Sequence, residues 1–246
     1  LLAGDRILIA NEDTLHQKNY SSNKIMRTLK GRPGTALDLT MYRKSEDKVF
    51  QLEMKRGKVP LPSLESYYLI DQTTGYIKIN RFSQTTYDEF DTVLNDLISK
   101  GMLKLILDLR DNPGGYLLPA KQISNALLEK DQTIVVTQSN IGEKEKSKAD
   151  GNGIFQEGEL IVLVNEQTAS ASEIVAGAVQ DNDRGWIIGR RTFGKGLVQQ
   201  QMPLGGGDAV RLTIAKYFTP SGRSIQKPYN GDRQAYYEDL SNRYHR

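Results

Sequence analysis

An apolar strand that leads into a serine-containing turn and then a helix constrains this chain more than any other feature. The strand is predicted over Leu160-Ile161-Val162-Leu163-Val164, and a helical pattern follows over 171–180. Between them lies Thr168-Ala169-Ser170-Ala171-Ser172-Glu173. A continuous apolar strand is typical of a sheet that is covered on both faces. We therefore expect the turn at the edge of a buried sheet, where open α/β folds bind ligands.

Strands and helices alternate along the rest of residues 66–229. Helices are predicted at 86–100 and 117–128, and further strands at 75–79, 103–109, 133–137, 186–188, 197–202 and 209–216. The polar segment 141–154 contains glycines and is predicted to be an exposed loop. This order predicts an α/β core with a largely parallel β-sheet that is flanked by helices.

The first part of the chain has a different pattern. Residues 1–57 combine predicted strands at 5–11, 36–42 and 49–54 with a helix at 22–30, which indicates a small, mainly-β module. Residues 58–65 contain two prolines and form a predicted linker. Residues 230–246 form a tail, which we interpret as a candidate oligomer contact. Because the chain starts without Met, we expect it to be a fragment of a longer protein and its first module to be incomplete.

Composition narrows the functions that are open to the chain. The 246 residues carry a net charge of +3 that is spread along the sequence, whereas nucleic-acid binding needs a clustered basic face. There are no cysteines, so disulfides and thiolate metal sites are excluded, and we predict neither cofactor nor metal. The only histidines, His16 and His245, lie in no motif. A serine hydrolase would therefore need another base, and Ser–Lys pairs are a recognised variant.

Ser170 and Lys195 are the candidate nucleophile and base. The start of the predicted helix supplies N–H groups that lack intrahelical partners and can stabilise an oxyanion. The alternative for Ser170 is a structural one, because Ser170 and Glu173 have the spacing of a capping box. Lys195 lies in Phe193-Gly194-Lys195-Gly196, and its alternative is a solvated lysine in a glycine turn.

The lysine segment also matches a phosphate-binding loop. Residues 189–196 fit the pattern G-x-x-x-x-G-K after a predicted strand, and Asp108 resembles the acidic partner of such sites. Gly196, however, occupies the position that needs a Mg²⁺-binding Ser or Thr. Residues 197–203 are also not helical in pattern, so no helix N-terminus is available to the phosphates. Both observations argue against nucleotide binding.

A second candidate turn is Asp111-Asn112-Pro113-Gly114-Gly115, directly after the predicted strand at 103–109. Such residues are common in ordinary turns that end strands. The functional alternative is that the two glycines let the backbone approach a substrate closely and present a free N–H group.

Several segments together resemble the carboxy-terminal processing proteases, the tail-specific serine peptidases of family S41. They are residues 107–115, 165–180 and 191–199, with Tyr217-Phe218-Thr219-Pro220-Ser221-Gly222-Arg223-Ser224-Ile225 as a fourth. Each motif is weak alone, but their order and spacing are specific, and the resemblance covers roughly residues 1–229. It implies a serine endopeptidase with a ClpP/crotonase-like α/β core over 66–229, preceded by the C-terminal part of a PDZ domain at 1–57.

The resemblance also implies the roles of individual residues. The nucleophile corresponds to Ser170 rather than Ser172, and the general base to Lys195. Gln199, four residues later, corresponds to the glutamine that orients the lysine.

The remaining implied groups are backbone donors and partners. The oxyanion donors correspond to the Ala171 N–H and to that of either Gly114 or Gly115. The expected partners are protein or peptide substrates with free, apolar C-termini, which a PDZ domain binds as an added strand. The resemblance also implies further partners, namely other copies of the same chain in a homo-oligomer and an activator or adaptor protein. The implied location is extracytoplasmic, in a bacterial periplasm or cell envelope. An inactive relative that serves as a binding scaffold is the alternative, and it is disfavoured because Ser170, Lys195 and Gln199 are all present.

Overall fold

The structure, a computed structural model, describes residues 1–57 and 62–243. It contains two compact units, Leu1–Leu61 and Pro62–Arg246. Of the predicted linker 58–65, residues 58–61 lie outside the described residues, and the first strand of the second unit already begins at Leu64. The other predicted domain limits stay predictions.

The first unit is a four-stranded antiparallel sheet with one helix. Its elements are β1 (Arg6–Ala10), β2 (Asp13–Thr14), α1 (Ser22–Leu29), β3 (Ala36–Arg43) and β4 (Lys48–Lys55). The strand order is β2-β1-β3-β4. Its core is small and consists of the buried residues Ala10, Leu15, Leu37, Leu39 and Met41. No residue of α1 is fully buried, so this unit depends mainly on the alternation of β3 for its core.

The second unit contains the predicted α/β core. Its elements are β5 (Leu64–Leu69), β6 (Thr74–Ile79), α2 (Thr86–Ser99), β7 (Lys104–Asp108), α3 (Leu117–Leu127), β8 (Thr133–Ser139), β9 (Lys144–Lys148), β10 (Glu159–Val164), α4 (Ala171–Asp181), β11 (Trp186–Gly189), β12 (Leu197–Gly205), β13 (Asp208–Phe218) and α5 (Arg233–Arg243). The strands form two separate sheets, and the two sheets have different pairing.

A five-stranded sheet in the order β11-β10-β7-β6-β5 forms the centre of this unit. Its inner pairs, β6–β7, β7–β10 and β10–β11, are parallel, and β5 is antiparallel to β6. Leu107 pairs with Val162 and Asp108 with Leu163, so β7 and β10 end side by side. The segments that follow these two strands therefore leave the same edge of the sheet, as the apolar runs predict.

The second sheet corrects the prediction of one largely parallel sheet. It has the order β12-β13-β8-β9, and all its pairs are antiparallel. Most strand pairs in the protein are therefore antiparallel. Gly206 and Gly207 connect β12 to β13 with φ angles of 60° and 97°, the conformation that a two-residue hairpin requires. A parallel connection would instead need a crossover of about a dozen residues.

Four of these elements were not predicted. The segment 141–154, predicted as a loop, contains β9, whose five side chains are all polar and which pairs with no described strand other than β8. Charged edge strands lack the apolar alternation by which strands are recognised. The elements β2, β5 and α5 were missed as well.

The C-terminal helix α5 packs on its own chain through Tyr236. The Tyr236 ring meets those of Phe193 and Tyr229 edge-on, with centroids 6.5 and 5.6 Å apart. Lys227 forms an ion pair with Asp239 at 2.8 Å. The oligomer contact that we predict for residues 230–246 stays a prediction. Among the described residues, none of the helices combines the length and the apolar character that crossing a membrane requires.

Candidate active site

Ser170 occupies a strained turn between β10 and α4. It is the N-terminal cap of α4, with φ 56° and ψ −116°, a conformation that non-glycine residues rarely adopt. Strand-to-helix turns of this kind expose a nucleophilic serine in other hydrolases. Its neighbours Ala169, Ala171 and Ser172 are all buried. Packing on both sides of the turn therefore holds Ser170 in its strained conformation.

Hydrogen bonds join this turn to the segment that follows β7. The Thr168 hydroxyl donates to the Leu109 carbonyl at 2.8 Å. The Asn112 carbonyl accepts from the Ala169 N–H at 3.0 Å and from the Ser172 hydroxyl at 3.2 Å. Ser172 is fully buried, so its hydroxyl is engaged in the turn and is not available to a substrate. The structure thus brings the two predicted turns together.

Gly114 lies directly against the Ser170 turn. Its φ is 89°, and a Cβ added there would lie 2.8 Å from the Ala171 nitrogen and 2.5 Å from the Ala169 oxygen. Only glycine fits this approach. The Gly114 N–H, however, donates to the buried Asn112 side chain at 2.8 Å.

Gly115 differs from Gly114 in its backbone partners. The flanking groups are engaged, since the Gly114 carbonyl accepts from the Phe82 N–H at 2.9 Å and the Tyr116 N–H donates to the Phe82 carbonyl at 2.8 Å. The N–H groups of Gly115 and Ala171 donate no hydrogen bond to any described residue. Of the two glycines, Gly115 therefore has the available donor.

Glu173 connects the two predicted catalytic residues. Its Oε2 accepts the backbone N–H groups of Ser170 and Lys195, both at 2.8 Å. Its Oε1 accepts the Gly194 N–H and the Thr192 hydroxyl, both at 2.7 Å. Burial raises the pKa of Glu173, and these hydrogen bonds oppose that rise. The contact with Ser170 matches the predicted capping box. The contacts with residues 192–195 were missed, because no local pattern signals them.

The lysine loop, residues 192–196, is held from its other side by the segment 225–227. The Lys227 N–H donates to the Gly194 carbonyl at 2.8 Å, and the Gly196 N–H donates to the Gln226 side chain at 3.0 Å. Within the described residues, the Lys195 amine makes no hydrogen bond or ion pair. The backbone of Lys195 is therefore fixed while its amine stays free of carboxylates.

One cleft of about 970 Å³ collects the predicted site residues. Its lining includes Ser170, Lys195, Gln199, Gly114 and Gly115. Ala171, the other predicted donor, is buried and is not among the residues that line the cleft.

Gln199 reaches this cleft from β12. A β-bulge lies between Val198 and Gln199, and both residues line the cleft, as bulges near active sites allow. Gln201 also lines it, whereas Gln200 does not, as the alternation of a strand predicts. The Gln199 amide makes no hydrogen bond to Lys195 or to another described residue, so the orienting role predicted for it stays a prediction.

Comparisons with known proteins show the family of this chain. A model of Peptidase family S41 matches residues 73–232. The chain belongs to peptidase family S41. Among its S41-type relatives are a carboxy-terminal-processing protease of Bartonella bacilliformis and a carboxyl-terminal-processing protease of Picosynechococcus, each 36% identical. These alignments cover 92% of this chain and 52% and 54% of the relatives, so the chain spans about half the length of the curated relatives that it matches.

A solved structure supports the same assignment. The photosystem II D1 C-terminal processing protease has a TM-score of 0.61 to this chain and 29% sequence identity. The match covers 91% of this chain and 61% of the other.

The structure, like the S41 family, also argues against nucleotide binding by residues 189–196. The segment 189–196 leads into strand β12 rather than a helix, so it lacks the helix N-terminus of a phosphate site. Asp108 is fully buried and accepts hydrogen bonds from Tyr76 at 2.7 Å and from the Arg110 Nε at 2.9 Å. Burial alone would raise the pKa of Asp108, but these hydrogen bonds hold it below its ordinary value. Asp108 is thus part of a structural ion pair.

Proposed function

We propose that this chain forms the catalytic part of a serine endopeptidase that cleaves protein substrates with a Ser170–Lys195 dyad. The observation that carries the proposal is that Ser170 and Lys195 line one cleft while both backbones bind the same Glu173 carboxylate. Histidine is the usual base of a serine hydrolase, and the chain has only two histidines, neither of which lies in a motif.

The chemistry follows from these two groups. The neutral Lys195 amine accepts the proton of the Ser170 hydroxyl as Oγ attacks the peptide carbonyl carbon. The resulting ammonium then donates a proton to the leaving amine, and an ester on Ser170 remains. The same amine activates a water molecule that hydrolyses the ester. Each proton that leaves Ser170 or water thus passes through Lys195.

The oxyanion of the tetrahedral intermediate needs donors beside Ser170. We propose the N–H groups of Gly115 and Ala171 for this role. Both lack a partner among the described residues, and the Ala171 N–H belongs to the first turn of α4. Gly114 shapes the site by its close approach, since its own N–H is occupied by Asn112. Preorganised donors of this kind typically contribute roughly 10²–10³-fold to kcat each.

Gln199 is the proposed positioning residue for Lys195. Its amide oxygen can accept a hydrogen bond from the amine and direct the nitrogen lone pair at Ser170. Gln199→Ala should lower kcat by roughly 10²–10⁴-fold, the usual contribution of a positioned base. The matched control is Gln200→Ala, which lies outside the cleft and should keep nearly full activity. Equal kcat for Gln199→Ala and wild type would remove this residue from the mechanism.

The first unit suggests how substrates are selected. We propose that residues 1–57 are the C-terminal part of a PDZ domain that recognises free, apolar C-termini in an extracytoplasmic compartment. The support is the small antiparallel sheet with one helix and the names of the S41 relatives. The proposal also includes assembly of the protein into a homo-oligomer or its binding to an activator protein. The longer protein should cleave a peptide with a free, apolar C-terminus faster than its amidated form, and equal rates would reject tail recognition.

The test of the proposed activity compares two neighbouring serines. Wild-type protein should digest a peptide with a free apolar C-terminus, and Ser170→Ala should be inactive. Ser172→Ala should retain activity and lose about 1 kcal/mol of stability, because it removes one buried hydrogen bond. If all three proteins fail to cleave but bind the peptide, the chain is a scaffold rather than an enzyme.

A further inference from the structure

The charge of the catalytic cleft is one-sided. Two cationic side chains, Lys195 and Arg211, line it, and no aspartate or glutamate is among the described residues that do so. Lys195 has a role in the proposed reaction. Arg211 has none, although its long side chain reaches the same cleft.

Arg211 lines the cleft from β13, the strand next to β12. It is on β13 directly opposite Gln201 of β12, and its Nη2 lies 3.5 Å from Gln201 Oε1. No carboxylate among the described residues pairs with the Arg211 guanidinium. Since Arg211 is exposed and lines the cleft, its positive charge is available to a bound peptide.

The strand β12 defines where a peptide meets this charge. It is the outer strand of its sheet, and its other edge pairs with no strand of the described part of the chain. A peptide can add to such an edge as an extended strand. Gln201 lies two residues beyond Gln199, which corresponds to about 7 Å along a strand. An extended peptide with its scissile bond at Ser170 and Lys195 therefore meets Arg211 about two to four residues away.

We propose that Arg211 is a specificity-determining residue that selects peptides with a carboxylate two to four residues from the scissile bond. This proposal rests on the proposed function, because it places the scissile bond at Ser170. The carboxylate can belong to an Asp or Glu side chain or to the peptide's own C-terminus. Guanidinium groups pair with both in the same bidentate geometry.

The test measures peptide binding and cleavage separately. Binding of fluorescent peptides is measured by anisotropy on Ser170→Ala, and kcat/KM is measured on the wild type. One peptide series carries Glu or Gln at each position around the cut and has an amidated end. A second series has no acidic residue and ends in either a free carboxylate or an amide.

We expect Glu at one position, or a free terminal carboxylate, to raise kcat/KM and the binding affinity by roughly three- to tenfold. This is the range of a partly exposed ion pair. Arg211→Gln should remove this preference, so that the acidic peptide and its neutral counterpart have equal kcat/KM and equal binding, and Arg211→Lys should keep part of it. Lys146→Ala, on β9 of the same sheet and outside the cleft lining, is the matched control and should keep all of it.

The two series identify the source of the carboxylate. A preference confined to internal Glu assigns it to a side chain, and one confined to the free end assigns it to the terminus. Equal binding of acidic and neutral peptides, or a preference that survives in Arg211→Gln, would overturn the proposal. Charge-selective binding without any cleavage would instead reject the protease function and leave the role of Arg211 in binding intact.

Discussion

The proposed nucleophile, Ser170, and the proposed base, Lys195, are held in two different ways. All residues from Ala171 to Val179 in α4 are buried, so Ser170 sits on a helix embedded in the core. No residue of β12, which follows Lys195, is fully buried. The lysine loop is instead held by hydrogen bonds to Glu173, Gln226 and Lys227. This difference teaches that packing positions the serine, whereas a few directed polar contacts position the lysine.

The largest expected effect is on the base itself. Lys195→Arg should lower kcat by roughly 10⁴–10⁶-fold, as for loss of one member of a catalytic unit, because arginine keeps its proton. Its melting temperature should stay within a few degrees of the wild type, since the Lys195 amine makes no hydrogen bond or ion pair within the described residues. Steady-state kinetics and thermal unfolding measure both. An active Lys195→Arg protein would remove the lysine from the role of general base.

Glu173 binds both the Ser170 turn and the lysine loop. Glu173→Gln should lower kcat by roughly 10²-fold, with KM nearly unchanged, because a misplacement of about 1 Å has effects of that size. In Glu173→Gln an amide nitrogen replaces one of the two carboxylate oxygens. This nitrogen cannot accept the hydrogen bonds that the replaced oxygen receives from N–H or hydroxyl groups. Glu173→Asp keeps both acceptors and should restore part of kcat. A purely structural role predicts instead a lower melting temperature with unchanged kcat in the folded fraction.

The smallest effect is expected at Asp181, the last residue of α4, which binds the segment after β13. Asp181 accepts hydrogen bonds from Ser221 and Arg223. Burial alone would raise the pKa of Asp181, but hydrogen bonds from Ser221, Thr219 and Arg223 hold it below its ordinary value. Asp181→Asn should lower the free energy of unfolding by roughly 1–2 kcal/mol at neutral pH.

The sign of this effect with pH follows from the lowered pKa. The stabilisation by Asp181 is present above its unfolded-state pKa of about 3.9 and is lost as the pH falls through the lower folded-state pKa. The difference in unfolding free energy between wild type and Asp181→Asn should therefore shrink in acid. Asp183→Asn, two residues away on an exposed position, is the control and should show no such trend. A difference that is constant with pH would contradict the assignment.

Sequence reasoning predicts the parts of the site that depend on local patterns. The apolar run of β10, the helical pattern of α4 and the turn at Ser170 are all local, and the structure confirms these elements. The antiparallel pairing of β12 with β13 and the strand β9 were not predicted, because polar strands lack a distinctive alternation. The distinction between Gly114 and Gly115 depends on the side chain of Asn112, which only the folded geometry reveals.

The most direct test of the account asks which serine is reactive and whether Lys195 activates it. Wild type, Ser170→Ala, Ser172→Ala and Lys195→Ala are treated with a fluorophosphonate, and the modified residue is located by peptide mass spectrometry. The account predicts an adduct on Ser170 in the wild type and in Ser172→Ala, and none in Ser170→Ala or Lys195→Ala. An adduct on Ser172, or labelling of Lys195→Ala at the wild-type rate, would contradict the Ser170–Lys195 dyad.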